Sequence, residues 1–373
     1  MRKRIYAKGI LGALFCALAM LSACAEAARY DADTPEILYF GRWEEDEGVR
    51  RCGRGATYIR VGFTGGTLRA ALDGENIRWH VSIDGGAPRQ FYPTGRETVL
   101  AEDVPSGNHQ VLLVRETEGQ AGVSAFRGFC LDDGETLLPG EGAKSRRLEF
   151  VGDSITAGSA NIGRYTGKNF YEVENGDMAY GPQLARMLDA DYSVVAKSGE
   201  GVCHNYAGGW PDAGVHTADS YRWTFYHGTK GPGNAEWDAE LFPVDAVMIF
   251  IGTNDFSDNQ RKPEGEFEAG YERLLDAVRE MNPEAEIICL EPLPASIGAL
   301  ARSRIENLVE RRIELGDDRL HFIPMGKGRE ALSGEDFTDN THPTIKGAEK
   351  LARYLKDKVA AILDARDTEE EAA

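Results

Sequence analysis

Two patterns of apolar positions divide the chain. Within residues 36–138, short runs of alternating apolar and polar residues are cut by Gly, Pro and Asp turns, at 58–63, 67–72, 78–83, 97–100, 109–115 and 123–131. Side chains alternate between the two faces of a strand, so Trp79-His80-Val81-Ser82-Ile83 gathers its apolar members on one side. Asp84-Gly85 directly behind it is a hairpin signal. No amphipathic helix interrupts this region. Strands this short and this regularly spaced predict an all-β sandwich of the jelly-roll type.

The pattern changes after a linker-like stretch at 139–146, which opens Pro139-Gly140-Glu141-Gly142. Continuous apolar runs at 148–151, 192–196, 246–251, 287–290 and 320–323 now alternate with helical periodicity near 180–188, 267–281, 305–315 and 344–363. Strands that read as unbroken apolar runs are buried on both faces, and their alternation with helices predicts a three-layer α/β domain around a parallel sheet. The segment 204–242 stands apart, with Tyr206, Trp210, Tyr221, Trp223 and Tyr226 among many glycines and little periodicity. A long loop of this kind either shapes a site or packs under an insertion. From Asp367 the acidic tail is expected to be disordered. The expected organisation is therefore a leader at 1–23, a β-domain at 24–138, a linker at 139–146, an α/β domain at 147–366 and a tail at 367–373.

The leader is read from its charge and length. Arg2, Lys3, Arg4 and Lys8 precede an apolar run at 10–21, too short to span a bilayer and suited to the core of a secretory signal. The run ends in Leu21-Ser22-Ala23-Cys24, which resembles the bacterial lipobox and implies cleavage before a lipidated Cys24. Ordinary signal cleavage near Ala25 or Ala28 is the alternative. The 373-residue chain carries a net charge of −19, and losing the leader makes it more negative. Such a surface repels polyanions, which excludes nucleic acid as an expected partner and limits membrane contact to a lipid on Cys24. Four cysteines remain beyond the leader: Cys52, Cys130, Cys203 and Cys289. With no Cys-x-x-Cys and no His-Glu-x-x-His, a metal centre is not expected, and a Cys52–Cys130 bridge is left open.

Ligands of an open parallel sheet bind outside the carboxyl ends of its strands, so reactive residues are sought just after the apolar runs. The first run leads into Gly152-Asp153-Ser154-Ile155-Thr156-Ala157-Gly158, the second into Lys197-Ser198-Gly199-Glu200-Gly201, and the third into Gly252-Thr253-Asn254-Asp255. Ser154 is a candidate nucleophile, although helix capping accounts for Asp153 or Ser154 equally well. Gly199, preferred over Gly201, can bring a backbone N–H close to a ligand, and Asn254 can offer a carboxamide N–H. Before the last helix, Asp339-Asn340-Thr341-His342-Pro343 supplies a base with an acid three residues upstream. That pair alone decides nothing in a chain so rich in Asp and Glu. The ordered conjunction of nucleophile, oxyanion donors and base carries the reading.

This conjunction resembles the SGNH, or GDSL-type, hydrolase superfamily. The resemblance implies a flavodoxin-like three-layer sheet and assigns Ser154, Gly199, Asn254 and His342 to the four name-giving positions, with Asp339 as the triad acid. A β-sandwich directly before such a domain is similar to carbohydrate esterase family 2. That likeness is carried by Phe40-Gly41-Arg42-Trp43, Ser82-Ile83-Asp84-Gly85, Phe126-Arg127-Gly128-Phe129 and Glu149-Phe150-Val151-Gly152-Asp153-Ser154. It implies an exported acetylesterase without a cofactor, acting on acetylated xylan or a related polysaccharide or oligosaccharide through a serine acyl-enzyme. Ser154 N–H, Gly199 N–H and Asn254 then form the oxyanion hole. Some members of that family orient their histidine by a backbone carbonyl, which makes Asp339 the open position. The alternatives are a lipase, short-chain acyl esterase or thioesterase using the same serine, and a glycan-binding lipoprotein with an inert hydrolase domain.

Overall fold

Residues 27–372 are described by a computed structural model, apart from 75, 95, 209–211, 227–234, 258–262, 264 and 331. Cys24 with its lipobox and Trp210 therefore lie outside the described residues.

Alternation of apolar residues builds an antiparallel β-domain whose strands pair into one strongly bent, ten-stranded sheet. Two strands dominate it, Tyr58–Leu72 and Thr98–Arg115, and each merges runs that the sequence separates by turn signals. Register shifts between Thr64 and Leu68 explain the merger. Gly65 and Gly66 take positive φ there, so the strand folds over without ending. Its first half pairs with Leu38–Phe40 and Leu137–Leu138, its second with Ser124–Leu131, and the curved sheet closes over Trp79, Phe63, Phe126 and Leu131.

Cys52 and Cys130 are not bridged. Cys52 lies opposite Ser124, and Cys130 is six residues farther along that strand. A rise of about 3.3 Å per residue puts them some ~20 Å apart, well beyond disulfide reach.

The second half folds as a five-stranded parallel sheet in the order Ala190–Ala196, Arg146–Gly152, Ala246–Phe250, Glu286–Leu290, Leu320–Ile323. Helices Tyr180–Met187 and Ile345–Ala372 pack together on one face. Glu266–Met281 and Ala295–Glu314 pack together on the other. The last helix runs on into the stretch expected to be disordered, and Arg146 binds Asp364 just before that stretch and Asp367 at its start, at 2.6 Å each.

The β-domain is docked by specific pairs. Arg42 meets Glu149 of the strand Arg146–Gly152 at 3.1 Å, with both side chains nearly inaccessible. Leaving either charge buried without the other would cost about 3–5 kcal/mol, so the pair tolerates no sliding of the two domains. Tyr58 stacks on Phe40 and packs on Tyr192, each at 4.6 Å between ring centroids, and its hydroxyl donates to Asp191 at 2.9 Å. These aromatic residues belong to the same buried cluster as Phe150 and Leu184 of the α/β domain, so the two cores meet without an aqueous gap.

Candidate active site

The strand Arg146–Gly152 ends at a residue where an added Cβ would lie 2.5 Å from the Phe250 carbonyl oxygen, so only glycine fits. Asp153 caps the short helix Ser154–Ala157 by accepting the Ile155 N–H at 3.0 Å. Because the aspartate does the capping, the Ser154 hydroxyl is left for other partners. Burial pushes the Asp153 carboxyl up to about 6.

The partner of Ser154 arrives from the far end of the chain. His342 Nε2 is 2.8 Å from Ser154 Oγ, and His342 Nδ1 is 2.8 Å from Asp339 Oδ2. Asp339 Oδ1 accepts the backbone N–H of both Thr341 and His342 at 2.7 Å, and the Thr338 N–H reaches the His342 carbonyl at 3.0 Å. These bonds fix the loop and the ring together. Burial works to raise the Asp339 carboxyl, but the His342 ring and the two N–H donors outweigh it and hold the group far below the usual carboxylate range. Asp339 therefore keeps its charge throughout the physiological range. Among the described residues no backbone carbonyl meets the His342 ring.

Opposite the histidine, Gly199 and Asn254 line the same pocket as Ser154. Gly199 has a φ of +82°, a conformation that favours glycine, and its N–H has no hydrogen-bond partner among the described residues. Gly201 is excluded from this role because its N–H already donates to Asn205 Oδ1 at 3.1 Å. Asn254 Nδ2 spends one N–H on the Glu200 carbonyl at 2.8 Å and retains a second. Asp255 accepts the backbone N–H groups of Val202, Cys203 and His204, which ties the Asn254 turn to the Gly199 loop.

The β-domain reaches into this loop. Glu118 Oε2 accepts the Ser198 N–H at 2.8 Å, and Gln120 Nε2 donates to the Ser198 carbonyl at 3.1 Å while also binding Glu118 Oε1 at 2.9 Å. Both backbone polar groups of Ser198, the residue before Gly199, are thus held from the other domain. Sequence reasoning missed this pair, because acids and amides in a loop between strands carry no signal of a contact 80 residues away.

The pocket holds about 380 Å³ and is walled by Tyr165, Phe170 and Tyr206. Of the Tyr and Trp residues singled out in the segment 204–242, Tyr206 is 70% exposed and lines the pocket. Tyr221 is wholly buried and accepts a hydrogen bond from Asn282, which is the core-packing alternative. Tyr165 and Phe170 come from a loop that periodicity leaves unread. Among the described residues, no cluster of His, Cys, Asp and Glu is arranged to hold a metal ion.

Behind the pocket, Glu200 receives the Ser220 hydroxyl at 2.7 Å, while its other oxygen has no hydrogen-bond partner among the described residues. Burial raises its carboxyl to about 7 from an ordinary 4.5, against the opposing pull of Lys197, Ser220 and Arg54. Between these values the folded chain keeps a proton that the unfolded chain has lost, so this group costs stability as pH rises, with the full cost reached above about 7. Glu200→Gln is accordingly expected to melt higher than wild type by roughly 5 °C at pH 8, with the gap closing toward pH 4.5. Thermal denaturation across that range checks it, and a gap that widens on acidification would contradict the assignment.

Comparison with known proteins follows the same division of the chain. Residues 150–350 match the model of the GDSL-like Lipase/Acylhydrolase family, and residues 39–140 match the carbohydrate esterase 2 N-terminal domain. The chain is 31% identical over 343 residues to the cellulase/esterase CelE of Acetivibrio thermocellus, covering 88% of this chain and 40% of that protein. It is 30% identical over 249 residues to an acetylxylan esterase / glucomannan deacetylase of Cellvibrio japonicus, covering 63% of this chain and 66% of the relative. The chain thus spans less than half the length of the first relative. Among solved structures, a family two carbohydrate esterase from Clostridium thermocellum in complex with cellohexaose superposes with a TM-score of 0.75 at 28% identity, covering 87% of this chain and 99% of the other.

Proposed function

The chain belongs to the GDSL-like lipase/acylhydrolase family and carries a carbohydrate esterase 2 N-terminal domain, and from that premise we propose that it is a serine acetylesterase of acetylated polysaccharides or oligosaccharides. The observation that carries this reading is the unbroken line of hydrogen bonds from Asp339 through His342 to Ser154, 2.8 Å at each step, at the edge of a small pocket. Ser154 Oγ attacks the acetyl carbonyl carbon as His342 Nε2 takes its proton, and Asp339 stabilises the imidazolium that results. The negative charge that develops on the carbonyl oxygen is received by the N–H groups of Ser154 and Gly199 and by Asn254 Nδ2. The sugar hydroxyl departs with the proton held on His342. Water then attacks the acyl-enzyme, His342 again acts as base, and acetate is released.

The acetyl reading is supported by the relatives named acetylxylan esterase / glucomannan deacetylase and by the modest volume of the pocket. Acetate release from acetylated xylan and glucomannan, set against hydrolysis of long-chain p-nitrophenyl esters, tests it. Preference for the long acyl chain would make the protein a lipase instead.

Asn254→Ala is expected to lower kcat roughly 100-fold or more, the scale of losing one oxyanion donor, with KM little changed. Steady-state kinetics on an acetyl ester measures it, and a loss below about threefold would reduce Asn254 to a loop-forming residue.

Export is proposed from the leader sequence, with Cys24 lipidated and the mature chain held at the cell envelope. Cys24→Ala is expected to shift the protein from the membrane fraction to the soluble one. An unlipidated wild-type chain in mass spectrometry would sink the proposal.

A further inference from the structure

We propose that the groove between the Tyr165 loop and the β-domain is a second binding site, a glycan subsite that holds a neutral sugar chain beyond the residue whose ester is cleaved. This rests on the esterase reading for its substrate class.

The groove encloses about 600 Å³, a volume typical of small-ligand sites. Tyr165, Phe170 and Tyr171 form one side, and Tyr92, Asn76 and Gln120 of the β-domain line the other. It adjoins the ester pocket, with Tyr165 and Phe170 lining both cavities. A chain whose acetylated residue sits at Ser154 therefore has a path along this wall and onto the β-domain.

Its chemistry fits a pyranose chain. Such sugars present an apolar face of C–H groups ringed by hydroxyls, and a site for them pairs aromatic faces with neutral donors and acceptors. Tyr165 is 48% exposed and Tyr92 is 40% exposed, which is unusual in a chain whose other large aromatic residues are mostly in the cores. The Tyr165 wall is also rigid: its ring meets Phe170 edge-on at 5.6 Å between centroids, and Phe170 meets Tyr171 edge-on at 5.2 Å. A platform already fixed loses little entropy on binding. Gln120 uses its amide nitrogen on Glu118 and Ser198, which leaves its carbonyl oxygen available to a sugar hydroxyl. One cation, Lys168, and one anion, Glu172, border the groove, and the chain as a whole is acidic, so the local charge favours a neutral ligand.

The test uses the full chain with Tyr92→Ala and Tyr92→Phe, a position exposed at the surface and outside the lining of the Ser154 pocket. Calorimetric binding of xylohexaose and cellohexaose is expected to weaken about tenfold in Tyr92→Ala for the sugar that binds, and to recover in Tyr92→Phe, which keeps the ring. In parallel, kcat/KM on acetylated xylo-oligosaccharides divided by kcat/KM on p-nitrophenyl acetate should fall about tenfold in Tyr92→Ala through KM, more for longer chains than for short ones. Equal binding of both hexasaccharides by wild type and Tyr92→Ala, or a loss independent of chain length, overturns the subsite. Binding that depends on Tyr92 in a protein that releases no acetate from glycans would uphold the subsite and refute the esterase reading.

Discussion

Ser154→Ala is expected to lower acetate release by on the order of 10⁶-fold while the protein still folds and melts like wild type. Ser154 is 7% exposed and its hydroxyl meets His342, so the substitution removes one oxygen from the edge of a cavity and disturbs no packing. The size of the loss follows from chemistry. Without the hydroxyl no acyl-enzyme forms, and what remains is the modest acceleration from binding and oxyanion stabilisation. His342→Ala should cost nearly as much, and the double variant little more than either single one, because nucleophile and base act as a unit. Steady-state rates on an acetyl ester, with circular dichroism to verify folding, decide the matter. A folded Ser154→Ala that retains even a hundredth of the activity would require another nucleophile.

The second large effect is expected at Asp339, and the choice of replacement matters. In Asp339→Asn the side-chain oxygen can still accept the Thr341 and His342 N–H groups, each now at 2.7 Å, so the loop survives. The amide nitrogen then faces His342 Nδ1 as a donor, which forces the ring proton onto Nε2, the atom that must accept from Ser154. Turnover should fall about 10⁴-fold. Asp339→Ala imposes no wrong tautomer and is expected to lose roughly 10²- to 10³-fold, from the missing charge and a looser loop. A milder effect for Asn than for Ala would show that Asp339 supports the loop and not the ring. Unchanged turnover in both would leave a Ser154–His342 dyad.

How far the sequence reveals this molecule depends on where the determining contacts lie. The parallel strands are legible because burial on both faces demands unbroken apolar runs, and all five appear within a few residues of their expected limits. Residues at the ends of those strands inherit their positions from the sheet, so Ser154, Gly199 and Asn254 can be located without coordinates. The β-domain reads less well. Turn residues at Gly65-Gly66 and Pro105-Ser106-Gly107 mimic strand ends, whereas the paired sheet absorbs them as irregularities in two long strands. The helix Ala295–Glu314 begins before its amphipathic pattern does, since Ala295, Gly298 and Ala299 give periodicity little to register. Glu118, Gln120 and Tyr165 are illegible for a different reason. Their importance comes from what the fold brings beside them, and nothing in their own neighbourhood of sequence records it.

The hold of Glu118 and Gln120 on Ser198 has a consequence for how such proteins can be rearranged. A catalytic domain is often treated as a cassette, portable once its linker is cut. Here Ser198, the residue before Gly199, has both its backbone N–H and its carbonyl held from across that linker. A chain begun at residue 147 would keep every residue of the triad and lose the brace on its oxyanion loop, along with the partner of buried Glu149. Recombination between relatives therefore has a natural breakpoint outside both domains, not between them. A chimera that replaces the β-domain alone must bring a carboxylate and an amide to the same two places.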